Sequence, residues 1–277
     1  MARRIAKSGW PDNGRIHLLV ARFRPIRALL FAKSFLGWGR MLTLVIATRN
    51  VHKVGEIRAI LGDGFRYLTL DDFAGPPEVV EDAGTFAGNA TKKAVALAKW
   101  LSQAQSPRAN AGSGVPGDLR DRMFVLADDS GLEVDELSGA PGVHSARFAA
   151  LDTGQPGNSP TVENNAKLMR LLEDVPLDKR TARFRCVVAL TPVPRTEPEG
   201  ASPACYAEEA ELQTELFEGT CEGRIGFAPR GRGGFGYDPL FMPIGSERTF
   251  GELDEAIKNK LSHRARALAL LRSKLTD

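Results

Sequence analysis

"MFVLADDSGLEVDELSGAPGVHSARFA", residues 123–149, decides how this chain is read. Four apolar residues, Phe124 to Ala127, run directly into Asp128 and Asp129, and Ser130 and Gly131 follow. A short apolar run bounded by turn residues predicts a buried strand that ends at the Asp pair, with a turn beginning at Ser130. Repulsion and desolvation both oppose two adjacent carboxylates at such a point unless a cation or hydrogen-bond donors offset them.

Outward from this strand, strand-like runs alternate with helical patterns. Strands are expected at 42–47, 123–127, 183–191 and 210–225, and helices at 53–61, 85–101, 162–175 and 261–275. The alternation indicates an α/β fold, and the close spacing of the last two strands indicates an antiparallel hairpin, hence a mixed sheet. Residues 102–121 and 192–204 are rich in Gly, Pro, Ser and Ala without periodicity and read as surface-loop insertions. No repeat of solenoid period is present.

Hydrophobic content of 43% and charged content of 26% suit a globular chain able to bury a substantial core. The net charge of +3 is unevenly placed. Residues 1–40 hold nine of the 37 Lys and Arg but one of the 34 Asp and Glu, leaving 28 basic and 33 acidic side chains elsewhere. A body with net charge −5 has no electrostatic footprint for nucleic acid, so no nucleic-acid partner is expected. The first forty residues contain no apolar stretch long enough for a membrane span. They read as a poorly ordered basic extension or a misassigned start before Met41, with a targeting or surface helix as the alternative. Cys186, Cys205 and Cys221 lack metal-type spacing and suggest neither a disulfide framework nor a zinc site, which fits a reducing cytoplasm.

Four further stretches carry polar chemistry. In "LTLVIATRNVHK" (42–53), Thr48, Asn50 and Lys53 stand between a strand and a helix, a place suited to an anion or to simple helix capping. "GRGGFGYDPLFMP" (231–243) lets backbone approach a flat ligand, with Phe235 or Tyr237 available to stack. "KNKLSHRARAL" (258–268) gathers Lys258, His263 and Arg264 around a helix start that Ser262 is placed to cap. "VVEDAGTFAGNATKKA" (79–94) sets Glu81 and Asp82 before a helix headed by Thr85, which suits capping and metal binding equally. His52 and His144 read as hydrogen-bonded structural residues rather than metal ligands.

Taken in order, "ATRNVHK", "TFAGNA", "ADDSGLEVDELSGAPGVHSARFA", "FRCVVAL", "GGFGYDPLF" and "LSHRARAL" resemble the house-cleaning pyrophosphatases that act on inosine and xanthosine triphosphates and their deoxy forms. The resemblance covers roughly 42–275. It implies an elongated mixed β-sheet with flanking helices forming two lobes around a deep cleft, in a domain spanning 41–277 that forms a homodimer. It also implies magnesium-dependent hydrolysis of deaminated purine nucleoside triphosphates to monophosphate and pyrophosphate, clearing them from the nucleotide pool. Thr48, Arg49, Asn50, Val51, His52 and Lys53 match the triphosphate-binding segment, and Ser130 a substrate contact. Glu81 and Asp129 match the metal-associated acids, with Asp129 the general base. Phe235, Gly236, Tyr237, Asp238, Lys258, His263 and Arg264 match the nucleoside-binding positions, with Lys258 and Arg264 expected to read a 6-oxo group.

Because successive strand residues point to opposite sides, Asp129 is expected to face the cleft and Asp128 to support the fold. Two departures stand out: Arg49 where many members have Gly, and Gly88 where many carry an acid. The rival readings are a pyrophosphatase for modified pyrimidine or methylated nucleotides, and a nucleotide sensor or nucleic-acid binder using residues 1–40.

Overall fold

Thr43–Ile46 forms strand β1, and all four residues are buried. Its side chains alternate between two apolar cores. Val45 packs with helix α2 (Phe86–Ala104), whereas Leu44 and Ile46 pack with helix α1 (Val51–Leu61) and the carboxy-terminal helix. A strand covered on both faces must be apolar throughout, which is why this run reads so clearly. This computed structural model describes residues 41–104, 123–193 and 213–276, all within one unit, Gly39–Asp277. The extension at 1–40 and most of both predicted insertions lie outside the described residues.

Six strands form one sheet in the order β2-β1-β3-β4-β5-β6. Strand β1 runs parallel to β2 (Arg66–Thr69) and to β3 (Met123–Val134). Strands β4 (Thr181–Pro192), β5 (Glu215–Ile225) and β6 (Phe241–Pro243) each pair antiparallel with the preceding strand of the sheet. The sheet is mixed, as expected, and the expected antiparallel pair is found as β4 with β5, whose described residues begin the pairing at Glu215.

The predicted end of the central strand is wrong. Strand β3 continues for 12 residues through the Asp pair, and Ser130 and Gly131 sit opposite Cys186 and Arg185 of β4. Gly131 serves close approach rather than a turn: a Cβ there would lie 2.4 Å from Ser145 Oγ and 2.5 Å from Gly142 O. The β3–β4 ribbon therefore spans two packed regions. Val125 and Ala127 join the α2 core, while Leu132, Val134 and Phe184 join a core with helix α3 (Thr161–Leu171) and Tyr237, Phe241 and Phe250. Asp128 and Asp129 fall between them.

The helix expected at 261–275 is present, and a separate helix that was not expected precedes it. Helix α4 spans Glu255–Leu261, Ser262 is extended, and helix α5 spans His263–Thr276. Ser262 Oγ accepts a hydrogen bond from Ala265 N at 3.1 Å, capping α5 as predicted.

Candidate active site

A cleft of about 750 Å³ is lined by residues from the β1–α1 junction, the segment 79–93, strand β3, the glycine-rich loop and the 258–264 stretch. Thr48, Arg49, Asn50, His52 and Lys53 come from the β1–α1 junction, and Glu81 from the segment before α2. Asp129 and Ser130 come from β3, Phe235 to Asp238 from the glycine-rich loop, and Lys258, His263 and Arg264 from α4 and α5. Of the predicted site residues, Val51 is not in this lining; its side chain is exposed in the first turn of α1.

Capping fixes the β1–α1 junction. Asn50 Oδ1 accepts from His52 N at 3.0 Å and Lys53 N at 3.3 Å, and Thr48 Oγ1 accepts from Asn50 N at 3.1 Å. The Lys53 ammonium pairs with Asp128.

The strand sends its two acids in opposite directions. Asp129 Oδ2 accepts from Asn89 Nδ2 at 3.1 Å, on the α2 face. Lys93, one helical turn beyond Asn89, donates to Glu81 Oε2 at 2.9 Å, to the Asp128 carbonyl at 2.8 Å and to Asp129 Oδ1 at 3.4 Å. Two acids against one ammonium leave this cluster with net charge −1. Burial raises the Asp129 carboxyl above the ordinary range; Lys93 and Lys53 work against that shift and Glu81 adds to it. Burial also opposes ionisation of Glu81, but Lys93, Lys53 and a hydrogen bond with Asp129 together outweigh it and hold that carboxyl below its usual value.

On the other face Asp128 is fully enclosed. Its Oδ2 accepts from Arg264 Nε at 3.0 Å and from the Cys186 thiol at 2.9 Å, and Ser130 Oγ donates to its Oδ1 at 3.2 Å. Burial alone would raise this carboxyl, yet the Arg264 and Lys53 charges hold it well below the usual range. Arg264 also pairs with Glu56 of α1 and donates to Ser130 Oγ at 2.9 Å. Lys258 pairs with Glu56 at 2.7 Å and with Asp238. Glu56, Asp128 and Asp238 thus balance Lys53, Lys258 and Arg264, which is how so many charges remain buried.

Asp238 organises the glycine-rich loop. Its Oδ2 accepts from Phe235 N at 2.7 Å, and a Cβ on Gly234 would lie 2.1 Å from that same oxygen. Tyr237 is buried and donates from its hydroxyl to Ser145 O at 2.9 Å. Phe235 lies outside the three apolar cores, beside the Lys258 ammonium at 4.7 Å and the Arg264 guanidinium at 5.7 Å from its ring centre. His52 stacks on it, with ring centres 5.3 Å apart. The expected hydrogen bond to the His52 imidazole is not found among the described residues. His263 is buried, stacks on Phe184, and has no partner for Nδ1 among the described residues.

Sequence reasoning passed over Asn89, Lys93 and Glu56. Asn89 and Lys93 are four apart on the face of α2 that also carries Phe86, Ala90 and Leu97. Polar residues inside an apolar helical stripe were the available signal. Glu56 stands three after Lys53 and beside the buried Ile57, a weaker form of the same signal.

The family model described as Ham1 family matches residues 44–274. This chain belongs to the Ham1 family. Over 228 residues it is 44% identical to a Desulforamulus reducens protein named dITP/XTP pyrophosphatase, covering 82% of this chain and 92% of the relative. A Geobacter sulfurreducens protein of the same name is 44% identical over 236 residues, covering 85% and 97%. Among solved structures, a HAM1 protein from Coxiella burnetii matches with a TM-score of 0.64 and 32% identity, over 85% of this chain and 99% of that one. The Staphylococcus aureus Ham1 protein matches with a TM-score of 0.61 and 30% identity, over 84% and 98%. The Ham1 fold thus brings residues of five of the six sequence motifs to one cleft, and the sixth, TFAGNA, reaches Asp129 through Asn89.

Proposed function

We propose that this Ham1-family protein hydrolyses deaminated purine nucleoside triphosphates (ITP, dITP, XTP) to the monophosphate and pyrophosphate, keeping them out of DNA and RNA. The carrying observation is the Glu81–Lys93–Asp129 cluster, a raised carboxyl beside a lowered one in a cleft that Phe235, Lys258 and Arg264 also line. The names of the relatives support the substrate class. The two-lobed reading agrees with a ribbon whose acids lie between separate cores.

In this reading Asp129 takes a proton from the water that attacks the α-phosphorus, and the α–β bridging oxygen departs with pyrophosphate. A carboxyl raised by burial is a better proton acceptor than an ordinary one, because its conjugate acid is weaker. Lys53 and the start of α1 lie where the leaving phosphates need fixed positive charge. Thr48, Arg49 and Asn50 line that end of the cleft. Phe235 stacks on the base, while Lys258, His263, Arg264 and Asp238 surround it.

The residues fit magnesium. Glu81 and Asp129 offer hard carboxylate oxygens in a cluster of net charge −1, and this ion takes one or two carboxylates together with substrate phosphates. No group of three or more His, Cys, Asp or Glu poised for a metal occurs among the described residues. Bound there, the ion would neutralise phosphate charge.

We also propose a homodimer acting in the cytoplasm. Among the described residues no helix is long and apolar enough to cross a membrane. Light scattering on purified protein tests the dimer.

The deciding experiment is pyrophosphate release from ITP, dITP, XTP, the four common nucleoside triphosphates and modified pyrimidine triphosphates, with and without magnesium. Release from the 6-oxo purines without a 2-amino group, dependent on magnesium, is the expected result. Preference for a modified pyrimidine would transfer the protein to the rival substrate class.

A further inference from the structure

We infer that His52 is a movable cover for the base-stacking face of Phe235, and that an incoming nucleobase must displace it. The inference rests on the proposed role of Phe235 as the stacking platform. It concerns a contact that joins the two ends of the cleft: His52 is in the first turn of α1 at the phosphate end, and Phe235 is in the glycine-rich loop at the base end.

The two rings are 5.3 Å apart between centres with planes inclined by 12°, a parallel offset stack. A planar base cannot enter between them as they stand. Sandwiching it requires ring planes roughly 7 Å apart, two contact distances of about 3.5 Å. The imidazole therefore has to leave, or the base stays off that face.

Departure is easy for His52 and difficult for Phe235. His52 is exposed, and its imidazole has no hydrogen-bond or ion-pair partner among the described residues. Its backbone is held by the Asn50 cap, so the side chain can rotate without disturbing α1. Phe235 is held through its own N–H by Asp238, which Lys258 fixes in turn. An apolar ring outside every core would otherwise face water, and His52 shelters it in the free protein.

Such a cover weakens the apparent affinity for every base by the fraction of molecules in which the platform is closed. An aromatic pair in water is worth enough to make that factor about two- to tenfold. Ligands lacking a base do not compete with the imidazole and escape the penalty.

The test uses the full chain with His52→Ala and His52→Trp. Removing the ring should lower KM for ITP about two- to tenfold, and the larger indole should raise it. Calorimetric titration with inosine monophosphate should show the same order without relying on turnover. Inorganic tripolyphosphate, titrated in parallel, should not follow this order. In His52→Trp, inosine monophosphate should also alter the indole emission, judged against wild-type protein, while tripolyphosphate should not. A His52→Ala variant that binds inosine monophosphate more weakly than, or the same as, wild type would overturn the cover. Proportional changes with tripolyphosphate would also overturn it, by assigning His52 to phosphate. If wild type binds inosine monophosphate but releases no pyrophosphate from ITP, the proposed reaction fails while the cover is still judged by the titrations. If it binds none, the cover fails with the platform.

Discussion

Asp128 and Asp129 are consecutive in β3 and serve opposite faces of the sheet, Asp128 locked to Arg264 and Lys53, Asp129 meeting Asn89 and Lys93. This division explains how adjacent carboxylates coexist inside a protein. Each has its own cations, and the pleat directs their side chains away from each other.

The division predicts distinct failures. Asp129→Asn should keep the fold and lower turnover by ~10²–10⁴-fold, the usual contribution of a general base. Asp128→Asn should instead lower stability, because it removes the buried counter-charge of Lys53 and one of the two that hold Arg264, a loss of about 3–5 kcal/mol. Melting temperature and turnover measured on both variants decide the matter. A stable, inactive Asp128→Asn beside an unstable, active Asp129→Asn would reverse the assignment.

Gly131→Ala should be costly although the residue is in a strand. The added methyl would meet Ser145 Oγ, Gly142 O and Phe86 at 3.0 Å or less, and two of these belong to the turn that packs on β3. Overpacking of this kind costs about 1–3 kcal/mol. Because Asp129 and Ser130 are the two preceding residues, turnover should fall as well, and a variant with wild-type melting temperature would contradict the close approach.

Stability should decline on mild acidification. Burial first, then the charge of Arg264, hold the His263 pKa well below 6.5. As pH falls through that value the unfolded chain binds a proton that the folded protein does not, so folding is progressively disfavoured. From roughly pH 7 to pH 5.5 the loss is about 1 kcal/mol. The lowered carboxyls of Asp128 and Glu56 act in the same direction but only nearer pH 4, while the carboxyls of Asp129 and Asp238, raised by burial, act against the decline. The comparison with a His263 variant therefore isolates the imidazole. Thermal unfolding across this range should show the decline in wild type and a flatter profile in His263→Phe.

The sequence revealed the fold wherever burial left a long pattern. Strand β1 and helix α2 were legible because their apolar residues recur over whole elements. Strand β2 is half-exposed and short, and β6 has three residues, so neither offered a pattern to find. The run past Asp129 was misjudged because Ser-Gly is a turn signal in isolation, and only the packing of residues 142–145 shows why a strand needs glycine there. The site motifs were recognisable one by one, but their pairing was not. Glu56 and Arg264 are separated by 208 positions, and nothing local in either tells that they share a salt bridge.

The last prediction concerns the choice of base, where the structure separates two residues that the sequence treated alike. Hypoxanthine offers a 6-oxo acceptor and an N1–H donor, whereas adenine presents a 6-amino donor and a bare N1. A protein donor at this position therefore favours the first and is left unpaired by the second. Arg264 commits its guanidinium to Asp128, Glu56 and Ser130, so it acts mainly as the support of that wall. Lys258 pairs with Glu56 and Asp238, and its ammonium lies 4.7 Å from the ring centre of Phe235. An ammonium has three N–H groups, so one remains for a base stacked on that ring. Lys258→Met should then lower kcat/KM for ITP at least about tenfold more than for ATP, within the discrimination that a hydrogen-bonding site achieves. Arg264→Met should lower both together and reduce the melting temperature. Lys258→Arg, which keeps the charge between Glu56 and Asp238, tests whether folding alone is responsible. If Lys258→Met reduced ITP and ATP hydrolysis by one common factor while remaining folded, the ammonium would be serving phosphate or structure, and selection of the base would have to lie in the backbone of the Gly234–Asp238 loop.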